Sequence, residues 1–227
     1  VKIKKYIEKA MQEGRSLLTE LESKEILLGY GINVEIGELV RSEEELEKIS
    51  DKIEYPVVLK ILSPQITHKS DVGGVKLNID KPKLLETYSE LIKSVKKKAP
   101  DAQIEGVLVQ KMHQGYETIV GMYKDSQFGP IIMFGLGGIF VEILKDVSFR
   151  LPPLSKKEAM KMIKGIKGYP LLEGVRGKEG ADINALAELI SRFSKFVMEN
   201  EEIKEVDLNP VIVNKDGAVV VDARIVI

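Results

Sequence analysis

The stretch YPVVLKILSPQITHKSDVGGVKLNI, Tyr55 to Ile79, decides how the chain is read. YPVVLKIL is a short β-branched run suited to a buried strand, and GVKLNI reads as a second strand. Between them a polar loop, about residues 62–74, carries His68 ahead of the Gly73–Gly74 pair. The chain has only two histidines. Most such residues sit on a surface or in a core without working, yet a neutral imidazole is a competent nucleophile near neutral pH. Polar neighbours (Lys69, Ser70, Asp71) and hinge glycines suit a histidine on a moving arm.

Around this stretch, helical and strand patterns alternate. SLLTELESKEILLGY (Ser16–Tyr30) has apolar positions at three-and-four spacing and reads as a helix stopped by Gly31. NVEIGELV reads as a strand, SEEELEKIS as a helix opened by a Ser42–Glu45 capping box, and DKPKLLETYSELIKSVKKK as a helix with Asp80 near its cap. After Pro100 come the strands IEGVLVQKM and YETIVGMY, then PIIMFGLGGIFVEIL, read as an apolar strand pair interrupted by glycines. A helix capped by Ser155 and Glu158, the helix INALAELISRFSKFVMEN, and two final strands, EVDLNPVIV and AVVVDARIVI, complete the order. The fold class is α+β (α/β): two lobes, 1–110 and 111–227, with the cleft between them as the expected ligand site.

Composition narrows the function. With 44% hydrophobic and 30% charged residues the chain is globular, and a net charge of −1 gives no general attraction to nucleic acid or anionic membrane. The basic run KSVKKKAP (Lys93–Pro100) reads as the solvated end of a helix. Absence of cysteine excludes a disulfide scaffold, a thiolate metal site and a cysteine nucleophile. No apolar run is long enough to span a bilayer, and the expected location is the cytoplasm. Abundant Lys, Glu and Ile suit a heat-adapted source.

Several residues are able to carry chemistry. Strand alternation puts Asp207 and Asn209 on one face, and a hairpin around NKDG brings Asp222 opposite them. Two carboxylates and an amide carbonyl suit Mg²⁺, although Asn209–Pro210 as turn chemistry with solvated aspartates fits the same pattern. Lys60, at the end of an apolar strand, is able to bind phosphate as a point charge or simply to reach solvent. FGLGG (Phe134–Gly138), with Gly137 and Gly138, offers backbone amides for a phosphate cradle but matches neither the Walker nor the dinucleotide pattern. His113 falls where the lobes join and is assigned a structural role.

Taken together, YPVVLKILSPQITHKSDVGGVKLNI, the run from EGVLVQKM through FRLPPLS, and EVDLNPVIV with AVVVDARI resemble the ATP-grasp subunit of ADP-forming acyl-CoA (acetyl-CoA) synthetases, relatives of succinyl-CoA synthetase. The resemblance covers nearly the whole chain, and THKSDVGGV is its most specific part. It implies an ATP-grasp fold with a nucleotide cleft between two α+β lobes. In archaeal members this β subunit is a separate chain paired with a larger CoA-binding α subunit, which implies such a partner in an α2β2 heterotetramer. By the same resemblance, His68 receives phosphate from a histidine of the α subunit and delivers it to ADP, and Lys60 binds phosphate. Gln110, Lys111 and Met112 form the hinge that reads adenine, and Glu117 binds ribose. Asn209 and Asp222 hold Mg²⁺, helped by Asp207. The implied reaction is acyl-CoA, ADP and phosphate to acid, CoA and ATP, reversibly, with Mg²⁺ and ATP/ADP bound. A stand-alone carboxylate ligase, which would not need His68, and a non-catalytic nucleotide sensor are the alternatives.

Overall fold

A capping box starts the helix expected from Ser16 only at Glu20. Thr19 Oγ1 accepts from the Glu22 amide at 3.3 Å while the Glu22 carboxylate accepts from the Thr19 amide at 2.9 Å. Helix α2 (Glu20–Gly29) starts there and ends before Gly31, whose φ of 72° takes the chain out of the helix. It is preceded by α1 (Lys2–Gln12), an amphipathic helix that the sequence reading left unassigned. These features belong to a computed structural model, which describes residues 2–66, 68–138, 141, 143–175, 177 and 179–227, with Lys2 described by its backbone alone.

The chain packs as two units, Val1–Glu35 with His113–Ile227, and Ile36–Met112. The sequence reading drew one boundary, at residues 110–111; the chain in fact leaves the larger unit after Glu35 and re-enters it at His113. Burial accounts for the difference. Ile3, Ile7, Ile26 and Leu27 share one core with Val206, Leu208 and Ile225, far along the chain. The Leu18 amide donates to the Ile225 carbonyl at 3.0 Å and the Ile227 amide to that of Ser16 at 2.9 Å. The run NVEIGELV is divided by this crossing: only Glu38–Val40 forms a strand (β1), and Val34 makes an isolated bridge to Val220.

In the smaller unit, β1, β2 (Val57–Leu62), β3 (Val75–Ile79) and β4 (Gly106–Lys111) form an antiparallel sheet in the order β1-β4-β2-β3. Val57, Leu59, Ile61, Val107 and Val109 face a core closed by Leu46 of helix α3 (Glu43–Ile49) and by Leu84, Tyr88, Leu91 and Val95 of α4 (Leu84–Lys98). A 3₁₀ turn, Lys81–Lys83, leads into α4, and the Asp80 side chain makes no cap bond there.

In the larger unit, β5 (Tyr116–Asp125), β6 (Gly129–Leu136), β7 (Val147–Arg150), β8 (Glu205–Asn214), β9 (Gly217–Val220) and β10 (Ala223–Val226) form one antiparallel sheet. Its order is β10-β8-β5-β6-β7, with β9 also on β8. Among the described residues PIIMFGLGGIFVEIL supplies one strand, β6, and its partner β7 lies beyond the run; residues 139, 140 and 142, on which the expected second strand falls, lie outside the described ones. AVVVDARIVI is likewise two short strands broken at Val221–Asp222. Helices α5 (Lys156–Lys164), α6 (Tyr169–Leu172) and α7 (Ile183–Glu199) follow β7, and α5 and α7 bury Met162, Ile163, Phe193 and Phe196 in the core beneath the sheet. Among the described residues no helix is long and apolar enough to cross a membrane.

The start of α2 also carries a charge cluster. The Glu22 carboxylate accepts from Arg15 Nη1 and Nη2, both at 3.1 Å, and from Lys9 Nζ at 3.0 Å. Burial, the largest single influence, pushes the Glu22 carboxyl upward, but Arg15, the Thr19 amide and Lys9 together hold it below the usual carboxylate range. A depressed carboxyl contributes stability at neutral pH that is lost as pH falls through its folded value. Glu22→Gln is expected to destabilise the chain by about 2–3 kcal/mol at pH 7. In thermal unfolding across pH, the gap from the unsubstituted chain should close as the medium is acidified below the ordinary glutamate range; a gap constant with pH would refute this account.

Candidate nucleotide and metal site

Strand β8 alternates as its sequence suggests up to Asn209: Val206 and Leu208 enter the core, while Asp207 and Asn209 lie on the opposite face. Pro210 has no N–H to give to a ladder. The pairing of β5 with β8 shifts there, with Thr118 opposite Val211 but Val120 opposite Leu208. On the other edge, β10 pairs Ala223 with Leu208 and Arg224 with Asp207, which carries Asp222 to a position opposite Asn209. The Asn209 amide donates to the Asp222 carbonyl at 3.2 Å and the Val221 amide to that of Pro210 at 3.1 Å. Asp207, Asn209 and Asp222 thus share one face, as expected from the sequence.

Burial, the largest influence, pushes the Asp207 carboxyl upward; Arg224 opposes the shift, and Glu205 and Asp222 add to it. Two carboxylates and an amide carbonyl, with one carboxylate ionising reluctantly, form a donor set that a hard divalent cation would relieve and satisfy. Among the described residues, no three His, Cys, Asp or Glu side chains gather to hold a metal. The three positions therefore fit Mg²⁺ only as a partial shell, the kind that substrate phosphates complete.

Beside this face is a hollow of about 280 Å³, lined by Ile119, Gly121, Tyr123 and Met133 together with Asp207 and Asn209. Gly121 lies opposite both Asp207 and Met133 in the ladders, so the missing side chain opens the space between a polar and an apolar wall. The sequence reading missed these wall residues and Arg224. The available signals were a glycine inside the alternating strand YETIVGMY, and Arg224 two positions after Asp222. Glu117 lies on this same face by alternation with Ile119 and Gly121, and its carbonyl accepts from the Gly137 amide at 2.8 Å.

That last bond engages one of the amides expected to cradle phosphate. The Gly137 amide serves the Glu117 carbonyl, and a Cβ on Gly137 would lie 2.9 Å from that of Glu117. Close backbone approach gives this glycine a structural reason of its own. Gly138 follows at φ 60°, exposed.

In the smaller unit, Lys60 (6% exposed) and Gln110 (2%) share the sheet face opposite the Leu59–Val109 core. Gln110 Nε2 donates to the Ile36 carbonyl at 3.4 Å. Lys111 projects from the other face and pairs with Glu54, and the Met112 amide donates to the Pro56 carbonyl at 3.0 Å. Of the three expected hinge residues, Gln110 shares a face with Lys60 and Lys111 does not. His113 Nε2 lies 2.6 Å from Glu35 Oε2, joining the residues at which the chain leaves and re-enters the larger unit.

His68 is exposed, and its carbonyl accepts from the Asp71 amide at 3.3 Å. Ile66, two residues earlier, is buried in the core of its unit; Thr67 lies outside the described residues. After His68, turns bind the Gly73 amide to the Ser70 carbonyl (3.0 Å) and the Gly74 amide to that of Lys69 (2.7 Å). Ser94 Oγ and Lys98 Nζ, both on α4, donate to the carbonyls of Val72 and Asp71 at 3.1 and 2.9 Å. A Cβ on Gly74 would come within 2.5 Å of Ile61 Cγ2, so this glycine permits close docking on β2. The imidazole is thus presented between two anchored flanks.

A profile of the ATP-grasp domain matches residues 9–227. The β subunit of ADP-forming acetate–CoA ligase I of Pyrococcus furiosus is 50% identical over all of this chain and 98% of its own length. An acetyl-coenzyme A synthetase 1 of Ca. Korarchaeum cryptofilum, solved with coenzyme A, acetyl-coenzyme A and a phosphorylated phosphohistidine segment in a site I orientation, matches with a TM-score of 0.89 at 48% identity, over 99% of each chain. The same enzyme, solved with coenzyme A and Mg-AMPPCP and with the segment pointing towards the nucleotide-binding site, matches at 0.83 and 45%, again over 99% of each chain.

A reluctant carboxylate at Asp207 costs stability when no cation is present. Asp207→Asn is expected to raise the melting temperature of the chain in chelator at neutral pH by a few degrees, about 0.5–1 kcal/mol. The same substitution should remove most of the stabilisation that Mg²⁺ with ADP gives the unsubstituted chain. A lowered melting temperature in chelator would show that Asp207 supports the fold rather than a ligand.

Proposed function

We propose, from the premise that the chain belongs to the ATP-grasp family and groups with the β subunits of ADP-forming acetate–CoA ligases, that it passes a phosphoryl group between His68 and adenine nucleotide. The observation that carries the reading is the separation of two parts: an exposed histidine on an anchored loop of one unit, and an oxygen-donor face with Asp207, Asn209 and Asp222 in the other. Such a division suits a group that is loaded in one place and unloaded in another. Solved relatives that hold a phosphohistidine segment in two orientations support it.

In the direction of ATP synthesis, the phosphoryl group arrives on a His68 ring nitrogen. The P–N bond breaks, its electron pair stays on the ring, and a P–O bond forms to the terminal oxygen of ADP. Lys60 neutralises phosphate charge, Glu117 holds ribose, and the hollow at Gly121 receives the apolar part of the nucleotide. Asp207, Asn209 and Asp222 would hold Mg²⁺, which supplies charge neutralisation and in-line alignment of the phosphates. His113 stays paired with Glu35 and takes no part. The overall reaction converts acyl-CoA, ADP and phosphate to acid, CoA and ATP, with acetyl-CoA as the acyl donor that the relatives' names favour. CoA and acyl chemistry belong to a larger partner α subunit, in an α2β2 assembly. The cytoplasm is the proposed setting, in keeping with a chain that contains no cysteine.

The test is made in the complex with that CoA-binding partner. His68→Ala is expected to lower ATP formation by about a thousandfold or more, because no other group can carry the phosphate. Acid-labile, base-stable label should appear on the unsubstituted chain and on His113→Ala but not on His68→Ala. Near-normal turnover by His68→Ala would reject the carrier role. Acyl-CoA synthesis by the isolated chain would reject the need for a partner.

A further inference from the structure

Lys24 lies on α2 with none of its side chain exposed. Its ammonium donates to Glu20 Oε1 at 2.6 Å and to the carbonyl of Val221 at 2.7 Å. Burying an ammonium is unfavourable even when it is paired, and an apolar side chain of similar volume usually fills such a space at least as well. The pair with Glu20, one turn away on the same helix, gives no reason for that expense. The second bond does, because it reaches 197 residues along the chain to the residue before Asp222.

At Val221 and Asp222 the edge of the sheet passes from β9 to β10. Neighbouring peptides are fixed by ladder-like bonds. Val220 donates to Asn33 and accepts from Glu35, at 3.0 and 2.8 Å, while the Val221 amide and the Asp222 carbonyl are held by Pro210 and Asn209. The Val221 carbonyl turns instead toward α2, where Lys24 meets it. This carbonyl and the Asp222 amide belong to one planar peptide group. Holding the oxygen therefore fixes the plane from which the Asp222 side chain departs.

We propose that Lys24 is a positioning residue for the metal face: its buried ammonium, neutralised by Glu20, clamps the Val221–Asp222 peptide and so sets where the Asp222 carboxylate points. The proposal rests on the reading of Asp222 as a cation ligand. Lys24 touches neither cation nor nucleotide and acts only through the backbone. Support of this kind behind a ligand commonly changes metal affinity by ten- to a hundredfold.

The experiment measures Mn²⁺ binding to the full chain in the presence of ADP, by the loss of free Mn²⁺ signal in electron paramagnetic resonance, with thermal unfolding recorded for every variant. Lys24→Met with Glu20→Leu removes both charges while keeping volume, and should fold yet bind Mn²⁺ about tenfold more weakly. Its affinity for ADP without metal should not change. Glu20→Gln leaves the ammonium on Val221, so it should lower thermal stability but keep Mn²⁺ affinity close to that of the unsubstituted chain. Asp222→Asn is measured in parallel: if it leaves Mn²⁺ binding intact, the metal reading fails, and this proposal with it. If Asp222→Asn weakens binding but the folded double variant binds normally, the metal reading stands and Lys24 is merely packed. Should the apolar pair prevent folding, Lys24→Gln with Glu20→Gln is judged by the same two outcomes.

Discussion

Strand β8 must satisfy three neighbours at once, and Pro210 deprives it of an amide in the middle. Much else in the larger unit follows from that constraint. The ladder with β5 shifts between Thr118 and Val120, and on the other edge β9 gives way to β10 at Val221–Asp222. The two interruptions fall opposite each other, so Asn209 and Asp222 meet backbone to backbone where regular pairing is interrupted. Irregular backbone set in a stiff sheet is a good place for ligating groups, because the sheet holds it still while ordinary side-chain alternation lapses. Asp207 lies one residue inside the regular part of β8, where burial, the largest influence, makes its carboxyl resist ionisation.

The smaller unit meets a different demand. Its sheet is buried on both faces at β2, so Lys60 is enclosed at 6% exposure while His68, beyond the end of the same strand, is open. Turns within Lys69–Gly74 and bonds from Ser94 and Lys98 hold the chain that follows His68. Among the described residues, the bonds from Ser94 and Lys98 lie near the surface, the kind that break at low cost. A loop built this way has a definite resting state without being committed to it.

Much of this was legible in the sequence where local chemistry decides. The capping box at Ser155 is made as its residue types require, and Ser42 caps α3, although Glu45 returns its bond to the Arg41 amide and not to Ser42; the box at Thr19, inside the run read as helical from Ser16, was missed. The alternation of Asp207 and Asn209 was readable for the same reason, as was the pairing that carries Asp222 across from them. What local pattern could not convey is partnership at long range. Nothing in SLLTELESKEILLGY announces that its lysine will meet a carbonyl near the far end of the chain, or that Ser16 and Leu18 will bond to the last strand. The glycines were read only in part, for a related reason. In FGLGG and in the His68 loop they were read as freedom or as amides for a ligand, and the close approach of another part of the protein to Gly137 and Gly74 is a further reason for them that the sequence does not show.

The order in which the chain crosses between its units has a bearing on its synthesis. Residues 36–112 contain all the strands and both helices of their own core, so that unit is complete as soon as it leaves the ribosome. The first 35 residues emerge earlier yet cannot be finished: Leu18 waits for Ile225, Ser16 for Ile227 and the Lys24 ammonium for Val221. The older segment is thus kept unsatisfied until β9 and β10 have been made, after residues 36–112 are already complete. Emergence of strand β10 is the event that releases it, because that strand closes the larger unit.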